Sequence, residues 1–365
     1  MDKGLRWTHS AGLHGFAAAL SFWAFYATSV QAQDAGAFFA GKSIRIIVGT
    51  GAGGGYDTYA RLVARHFGKH LSGKPSIVVE NMPGASGIRA VNYLYAAAPS
   101  DGTVISTFNN AMPVYQATGQ AGIQFKTEQL SWIGSLTQTA SVVVVATSTG
   151  VKTIDDARRI EVVMGATGAA GTKAAYAALL NNTLGTKFKI VTGYEGSNAV
   201  SLAMERGEVQ GDASNPWSTW KSARADWVRN NRIVPIVQIG LKADPDLPQV
   251  PLLGTFAASD EQRQMFEFTG APVAIQQPFA GPPKIPADRL EAMRKAFDAM
   301  TADPEFRAEA AKASMDLDPL SGSAVEAIVR KTVETPAAVI AKVQAAMTVK
   351  DAAVAPGSTG KGNAE

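Results

Sequence analysis

Glycines 49, 51, 53, 54 and 55 stand between a short β-like run, Ile44 to Val48, and a helical pattern in which Leu62, Val63 and Phe67 share one face. Glycine lets a chain turn sharply and brings its backbone close to a ligand. The N–H groups at a helix start then hold an anion without any basic side chain. The chemistry on offer is the seating of a carboxylate or phosphate above this loop. Two other readings stay open here. Gly49, Gly51 and Gly54 satisfy a dinucleotide-fingerprint spacing, but in a stretch so glycine-rich that chance would supply it, and Glu80 comes late as its acidic partner. The loop is otherwise a flexible turn with no ligand. No Gly-Lys-Ser or Gly-Lys-Thr follows, so a Walker A loop is excluded.

Further residues could serve the same chemistry. Asp57 either caps its helix, or orients the glycine loop, or receives a ligand hydroxyl or ammonium; a carboxylate directly against a bound acid would be unfavourable. Asn81 to Gly87 makes a second tight loop, in which Ser86 could cap the next helix. Gly168 to Thr172 is a third small-residue loop before a helix, and Tyr194 offers an aromatic ring and a hydroxyl. Trp217 and Trp220 either wall a ligand or pack a domain edge. His66 and His70 share one helical face, with no acidic residue at a suitable offset on that helix; they read as surface histidines, and no metal site is expected. The chain has no cysteine, which excludes thiolate metal sites and a cysteine nucleophile. PGASGI lacks the nucleophile elbow, and the histidines lie toward the far end of their helix, so enzyme chemistry has little support.

The elements that must position these residues alternate. Strands are expected at Ile44 to Val48, Ile77 to Glu80 and Thr103 to Phe108, with helices from Asp57 to His70 and from Ser86 to Ala98. The run IVV in the second strand suggests cover on both faces. The loops at Gly49, Asn81 and Asn109 fall at strand carboxyl ends, where such sheets bind ligands. Trp132 to Ala146 reads as a strand crossing to a second domain. Thr153 and Asp156 resemble a capping box. Strands at Val162 to Gly165 and Lys189 to Val191 then repeat the first domain's strand, small-residue loop and helix. Prolines 245, 248 and 251 mark an irregular crossing. Helices follow at Ala287 to Met300 and Pro304 to Ala313, then one capped by Ser323 with Glu326, and a last one started by Pro336.

The N-terminus reads as an export signal. Lys3 and Arg6 precede an apolar stretch from Leu13 to Val30, and Val30-Gln31-Ala32 fits cleavage after Ala32. Loss of Asp2, Lys3 and Arg6 leaves 32 basic and 30 acidic residues, a net charge of +2. That balance suits an anionic solute and no nucleic acid.

Five motifs together resemble a known family. IRIIVGTGAGGGYDTYAR carries Gly53, Gly54, Gly55, Asp57, Ala60 and Arg61 of its first signature. VVENMPGASG, from Val78 to Gly87, carries the second, and APSDGTVI the turn after it. Tyr194 and Gly196 match a tyrosine–glycine turn, and LPQVPL, from Leu247 to Leu252, a late segment. The chain is similar to the periplasmic solute receptors of tripartite tricarboxylate transporters, the Bug or TctC group. Departures are Gly49 and Thr50 in place of Pro-Phe, Gln210 in place of Asp, a missing Arg before LPQVPL, and the segment 271–286; they bear on the pocket rim or hinge.

The resemblance implies an α/β type II periplasmic binding fold, two lobes with a ligand cleft between them. The implied layout is a signal peptide at 1–32, a first lobe at 33–138, a second at 139–263, a return to the first lobe with C-terminal helices at 264–348, and a disordered tail at 349–365. It implies a monomeric receptor that delivers a small organic mono- or dicarboxylate to membrane permease subunits, with no cofactor. A sensor role is the alternative. The implied ligand contacts are Gly53, Gly54, Gly55, Tyr56, Asp57, Pro83, Gly84, Ala85, Ser86, Asn109, Gly168, Thr172, Tyr194 and Trp217.

Overall fold

The computed structural model describes residues 35–355, apart from Gly54, Ala170 and Glu195. The expected leader, and residues 356–365 of the expected tail, lie outside the described residues. Within the compact unit Gln33–Glu365 the strands fall into two sheets.

The chain first lays down β1 (Ser43–Val48), β2 (Ser76–Asn81), β3 (Val104–Thr107) and β4 (Ser131–Thr137). It crosses at residues 138–140 to build β5 (Ser141–Ala146), β6 (Val162–Gly165), β7 (Phe188–Thr192), β8 (Gly211–Pro216) and β9 (Ile233–Ile239). It returns for β10 (Gln276–Gly281) and β11 (Leu320–Ser321), and finishes with β12 (Ala352–Val354). The sheets run β11-β4-β10-β3-β1-β2 and β12-β7-β6-β8-β5-β9. In each, a central strand (β1 or β6) has a parallel neighbour on either side. The repeat expected from sequence is therefore a repeat of topology. Successive connections leave β1 and β6 in opposite directions, which opens a crevice at their carboxyl ends.

The two-residue period of a strand explains why β1 is central. Ile44, Ile46 and Val48 join one core with Leu62, Val63 and Phe67 of the helix Gly55–His70, while Ile47 points into the other core with Val91, Leu94 and Trp132. Each such side chain, fully buried, contributes roughly 1.5–3 kcal/mol. The second strand departs from expectation: β2 is an edge strand whose residues alternate between exposed and half-buried, with Val78 45% exposed. Only Ile77 and Val79 face the core, because one face and one edge of β2 have nothing packed on them.

Five other expectations change. The chain from Trp132 to Ala146 is two strands in different sheets rather than one. A helix, Asp260–Ala274, capped by Ser259, occupies a stretch that the sequence reading left unassigned; Pro272, in its last turn, donates no hydrogen bond to the preceding turn, and the helix ends two residues later. The helix Gly322–Val333 is capped by Ser321 rather than Ser323, and Glu326 pairs with Arg294 and Arg330 instead. The last helix, Ala337–Met347, buries Val339, Ile340 and Val343 against Leu179 and Leu180 of the second lobe, so the chain's end does not stay with the first lobe. Residues 352–354 are likewise not disordered. The open edge of β7 accepts them as a parallel strand, since backbone pairing there is indifferent to their small side chains.

The histidines are also placed differently. His66 is buried, with Nε2 2.6 Å from Glu309 Oε2, and His70 Nε2 lies 2.9 Å from Asp303 Oδ2. The carboxylates absent from their own helix come from the packed helix Pro304–Lys312 and its cap.

Candidate functional site

Three loops meet at the carboxyl edge of the first sheet. A Cβ added at Gly49 would lie 3.2 Å from Phe108 Cβ and 3.4 Å from Gly87 Cα, so the loops after β1, β2 and β3 close on one another only because residue 49 has none.

Asp57 fixes the first loop. It is 2% exposed and lies in the first turn of the helix Gly55–His70, not at its cap. Its carboxylate accepts from Gly53 N (2.8 Å), Arg61 Nε (2.9 Å), Arg61 Nη2 (3.0 Å) and Asn81 Nδ2 (2.9 Å). Asn81 Nδ2 also reaches Thr50 O at 3.0 Å, which ties the second loop to the first. The Arg61 guanidinium leads in holding the Asp57 carboxyl down at about 2; the Gly53 and Asn81 donors add to it, against the cost of burial. Of the roles open to Asp57 in the sequence, orienting the glycine loop is the one this geometry fits. Its own acceptor sites are occupied, while Gly53 and Gly55 lie at the surface.

The second loop is strained. Gly84, Ala85, Ser86 and Gly87 run at φ 142°, 46°, 54° and 96°. Two non-glycine residues in the left-handed region cost about 1 kcal/mol each or more, and such runs concentrate where a backbone grips a ligand. Pro83 through Ser86 are exposed. Ser86 caps nothing: the helix Ile88–Ala96 begins after Gly87, with no side-chain cap.

The third loop turns on Asn109, whose Oδ1 accepts from Ala111 N at 2.9 Å. Asn110 connects further. Its N–H donates to the Tyr56 hydroxyl at 3.0 Å, that hydroxyl donates to Asn110 Oδ1 at 3.2 Å, and Asn110 Nδ2 donates to Pro272 O. Burial pushes Tyr56 up to about 12, so it remains a neutral donor.

Sequence reasoning missed Gln277. It is the second residue of β10, with φ 55°, and its Nε2 lies 3.8 Å from where a Gly55 Cβ would be. Its Oε1 is buried without a partner, as are the hydroxyls of Thr50, Thr107 and Thr137. Thr107 pairs with Val48 on one side and Phe279 on the other, while Thr137 pairs with Gln276. These polar atoms therefore crowd the same edge of the sheet as the glycine loop. Nothing in the run Gln276-Gln277-Pro278 announces a left-handed glutamine.

Gly168, Thr172, Tyr194 and Trp217 belong to the corresponding edge of the second sheet. Gly193 N and Tyr194 N donate to Thr167 O and Ala166 O, joining the loops after β6 and β7. Tyr194 and Trp217 share one core, and the Tyr194 hydroxyl is buried without a partner. Trp220 stacks on Trp227 inside that core, the domain-packing role. Gly54 lies outside the described residues. A second carboxylate organiser also escaped sequence reasoning. Buried Asp212 takes Lys173 Nζ at 2.7 and 2.6 Å, Ser214 N at 3.0 Å and Asn215 Nδ2 at 3.1 Å. It holds β8 to the helix Thr172–Leu184, whose first residue is Thr172.

A cavity of about 860 Å³ lies elsewhere, between the helices Asp260–Ala274 and Gly322–Val333. It holds none of the residues just named, and it is lined by neither strained loop. Among the described residues, no helix is long and apolar enough to cross a membrane.

Comparison with known proteins bears on all of this. Residues 59–345 match the family model described as the tripartite tricarboxylate transporter family receptor. A UPF0065 protein of the gbd 5′ region in Cupriavidus necator is 26% identical over 341 residues, 92% of this chain and 97% of that one. A TctC solute-binding protein from Polaromonas superposes with a TM-score of 0.66 at 18% identity, covering 83% of this chain and 99% of that one. MatC from Rhodopseudomonas palustris, with bound malate, gives 0.52 at 17% identity over 83% and 100%. A second R. palustris protein, with adipate, gives 0.53 at 17% over 86% and 99%. The structural likenesses establish the two-lobed type II fold.

Proposed function

This chain belongs to the tripartite tricarboxylate transporter receptor family of periplasmic solute-binding proteins, and from that premise we propose that it captures a small organic mono- or dicarboxylate and delivers it to the membrane permease subunits of such a transporter. It is a binding receptor and not an enzyme.

The observation that carries the ligand class is the loop held by Asp57. Four donors fill that carboxylate, and Gly87 N closes the second loop onto Gly84 O at 2.9 Å, so the N–H groups at the start of the helix Gly55–His70 and at residues 84–86 are left for an external anion. One ligand carboxylate sits there, against Gly53, Gly54, Gly55 and Tyr56 on one side and Pro83 to Ser86 on the other, above the Asn109 turn. Gln277 reads a polar group of the ligand beside it. Gly168, Thr172, Tyr194 and Trp217 of the second lobe close over the far end. The malate and adipate of the structural relatives support a dicarboxylate. The mature receptor is a monomer that starts at Gln33; N-terminal sequencing of envelope protein tests that start, and an intact leader contradicts it.

The variant that tests the cradle is Gly84→Val. A β-branched residue at φ 142° cannot keep this loop's path. Calorimetry on the folded variant is expected to show at least a tenfold weaker carboxylate affinity, with a surface substitution as control. Unchanged affinity places the site elsewhere.

A further inference from the structure

We propose that His66, Asp303 and Glu305 form a binding site for a divalent transition metal of the zinc class. A ligand atom of His66 and one carboxylate oxygen from each of Asp303 and Glu305 lie within 4.8 Å of one another. One ring nitrogen and two carboxylates make a borderline donor set. It suits zinc-class ions better than calcium or magnesium, which take oxygen ligands in larger numbers.

The imidazole supplies the second, independent observation. His66 is 1% exposed, and its ring packs edge-on against Phe306 at 5.5 Å, which fixes its orientation. Nε2 lies 2.6 Å from Glu309 Oε2, while Nδ1 is buried with no partner. A carboxylate accepts only, so Nε2 donates to Glu309, and Nδ1 is the ring atom left for a further partner. A buried polar atom of this kind is costly unless something pairs with it. A carboxylate on the far nitrogen of a histidine is also the arrangement that orients metal-binding imidazoles and raises their basicity. His70, donating to Asp303 Oδ2 at 2.9 Å, orients a second ligand in the same way.

The present partners can yield. Glu305 is held by Lys69 Nζ at 3.1 Å, through side chains 68% and 51% exposed, a pair whose loss costs little. Water would complete the coordination. The ion would staple the helix Gly55–His70 to the helix Pro304–Lys312. It would do so about three turns from the glycine loop, so the site stands apart from the anion cradle.

The test uses purified protein without an affinity tag, stripped with a chelator, then titrated with zinc chloride against a competing chromophoric chelator, with magnesium as control. The expected result is one tight equivalent of zinc, a raised melting temperature and no response to magnesium. Glu305→Gln, at an exposed position, is expected to weaken zinc at least tenfold while leaving the metal-free melting temperature unchanged. His66→Gln is expected to weaken it further; if that variant does not fold, Glu305→Gln decides alone. No stoichiometric zinc binding, or zinc binding that Glu305→Gln leaves unchanged, overturns the assignment.

Discussion

At the scale of single residues, the account rests on Asp57 and Gln277. Asp57 lies below its usual range, at about 2 against 3.8. The stabilisation is fully present above the ordinary carboxyl value and is lost as pH falls through the depressed one. Its size is at most about 2 kcal/mol, because Arg61 is half in solvent and its charge is screened. Wild-type protein is therefore expected to lose more stability than Asp57→Asn between about pH 5 and pH 2, in denaturant melts at each pH. Parallel curves would contradict the role given to this carboxylate. Gln277 makes the opposite kind of prediction. Its φ of 55° is one that glycine adopts freely, so Gln277→Gly is expected to cost less than about 1 kcal/mol of stability yet weaken ligand binding severalfold. A variant that binds normally would remove Gln277 from the site. Asp57 was visible in the sequence because it follows the glycines in the first helical turn. Gln277, Asp212 and Lys173 were not, since their roles come from backbone angles and partners far along the chain.

At the scale of elements, the loop 84–87 and the packing around Gly49 decide the geometry. Gly49→Val would drive a branched side chain toward Phe108 Cβ and Gly87 Cα. It is expected to destabilise by about 2 kcal/mol and to weaken binding in the folded fraction. Chemical denaturation together with calorimetry separates the two effects, and a variant as stable as wild type would show that the loops do not need their close approach. Most strands of both lobes were legible, because buried β-branched runs such as Ile44 to Val48 and Val142 to Val145 leave few alternatives. The two-faced cover expected for β2 was not met, since three apolar residues in a row do not say whether a strand is central or at an edge. The helix Asp260–Ala274 was obscured by Pro272. The strand 352–354 was hidden because pairing at a sheet edge depends on backbone, not on composition. His66 looked like a surface residue because its carboxylate partner lies 243 positions away.

At the scale of the whole molecule, two sheets of matching topology are joined at residues 138–140, at Ala274 to Gln276 and between the helices Gly322–Val333 and Ala337–Met347. Thr139 N donates to Val273 O at 3.0 Å, and Gln276 Nε2 to Thr139 Oγ1 at 2.9 Å, so two of the crossings are bonded to each other. The Lys242–Asp318 ion pair, at 2.7 Å, also links the lobes. A ligand bound only by the folded protein stabilises it by mass action, about 2.7 kcal/mol at a hundredfold excess over Kd. The central claim is that this receptor recognises a carboxylate through charge-assisted backbone hydrogen bonds. Its most direct test is calorimetry of the purified protein with aliphatic mono- and dicarboxylates, the amide of the best binder, and neutral sugars, in a buffer without competing organic anions. The account predicts a small carboxylate bound at one-to-one stoichiometry, its amide at least tenfold weaker, and no sugar binding. Binding of a neutral sugar with no response to any organic acid, or an amide that binds as well as its acid, would contradict it.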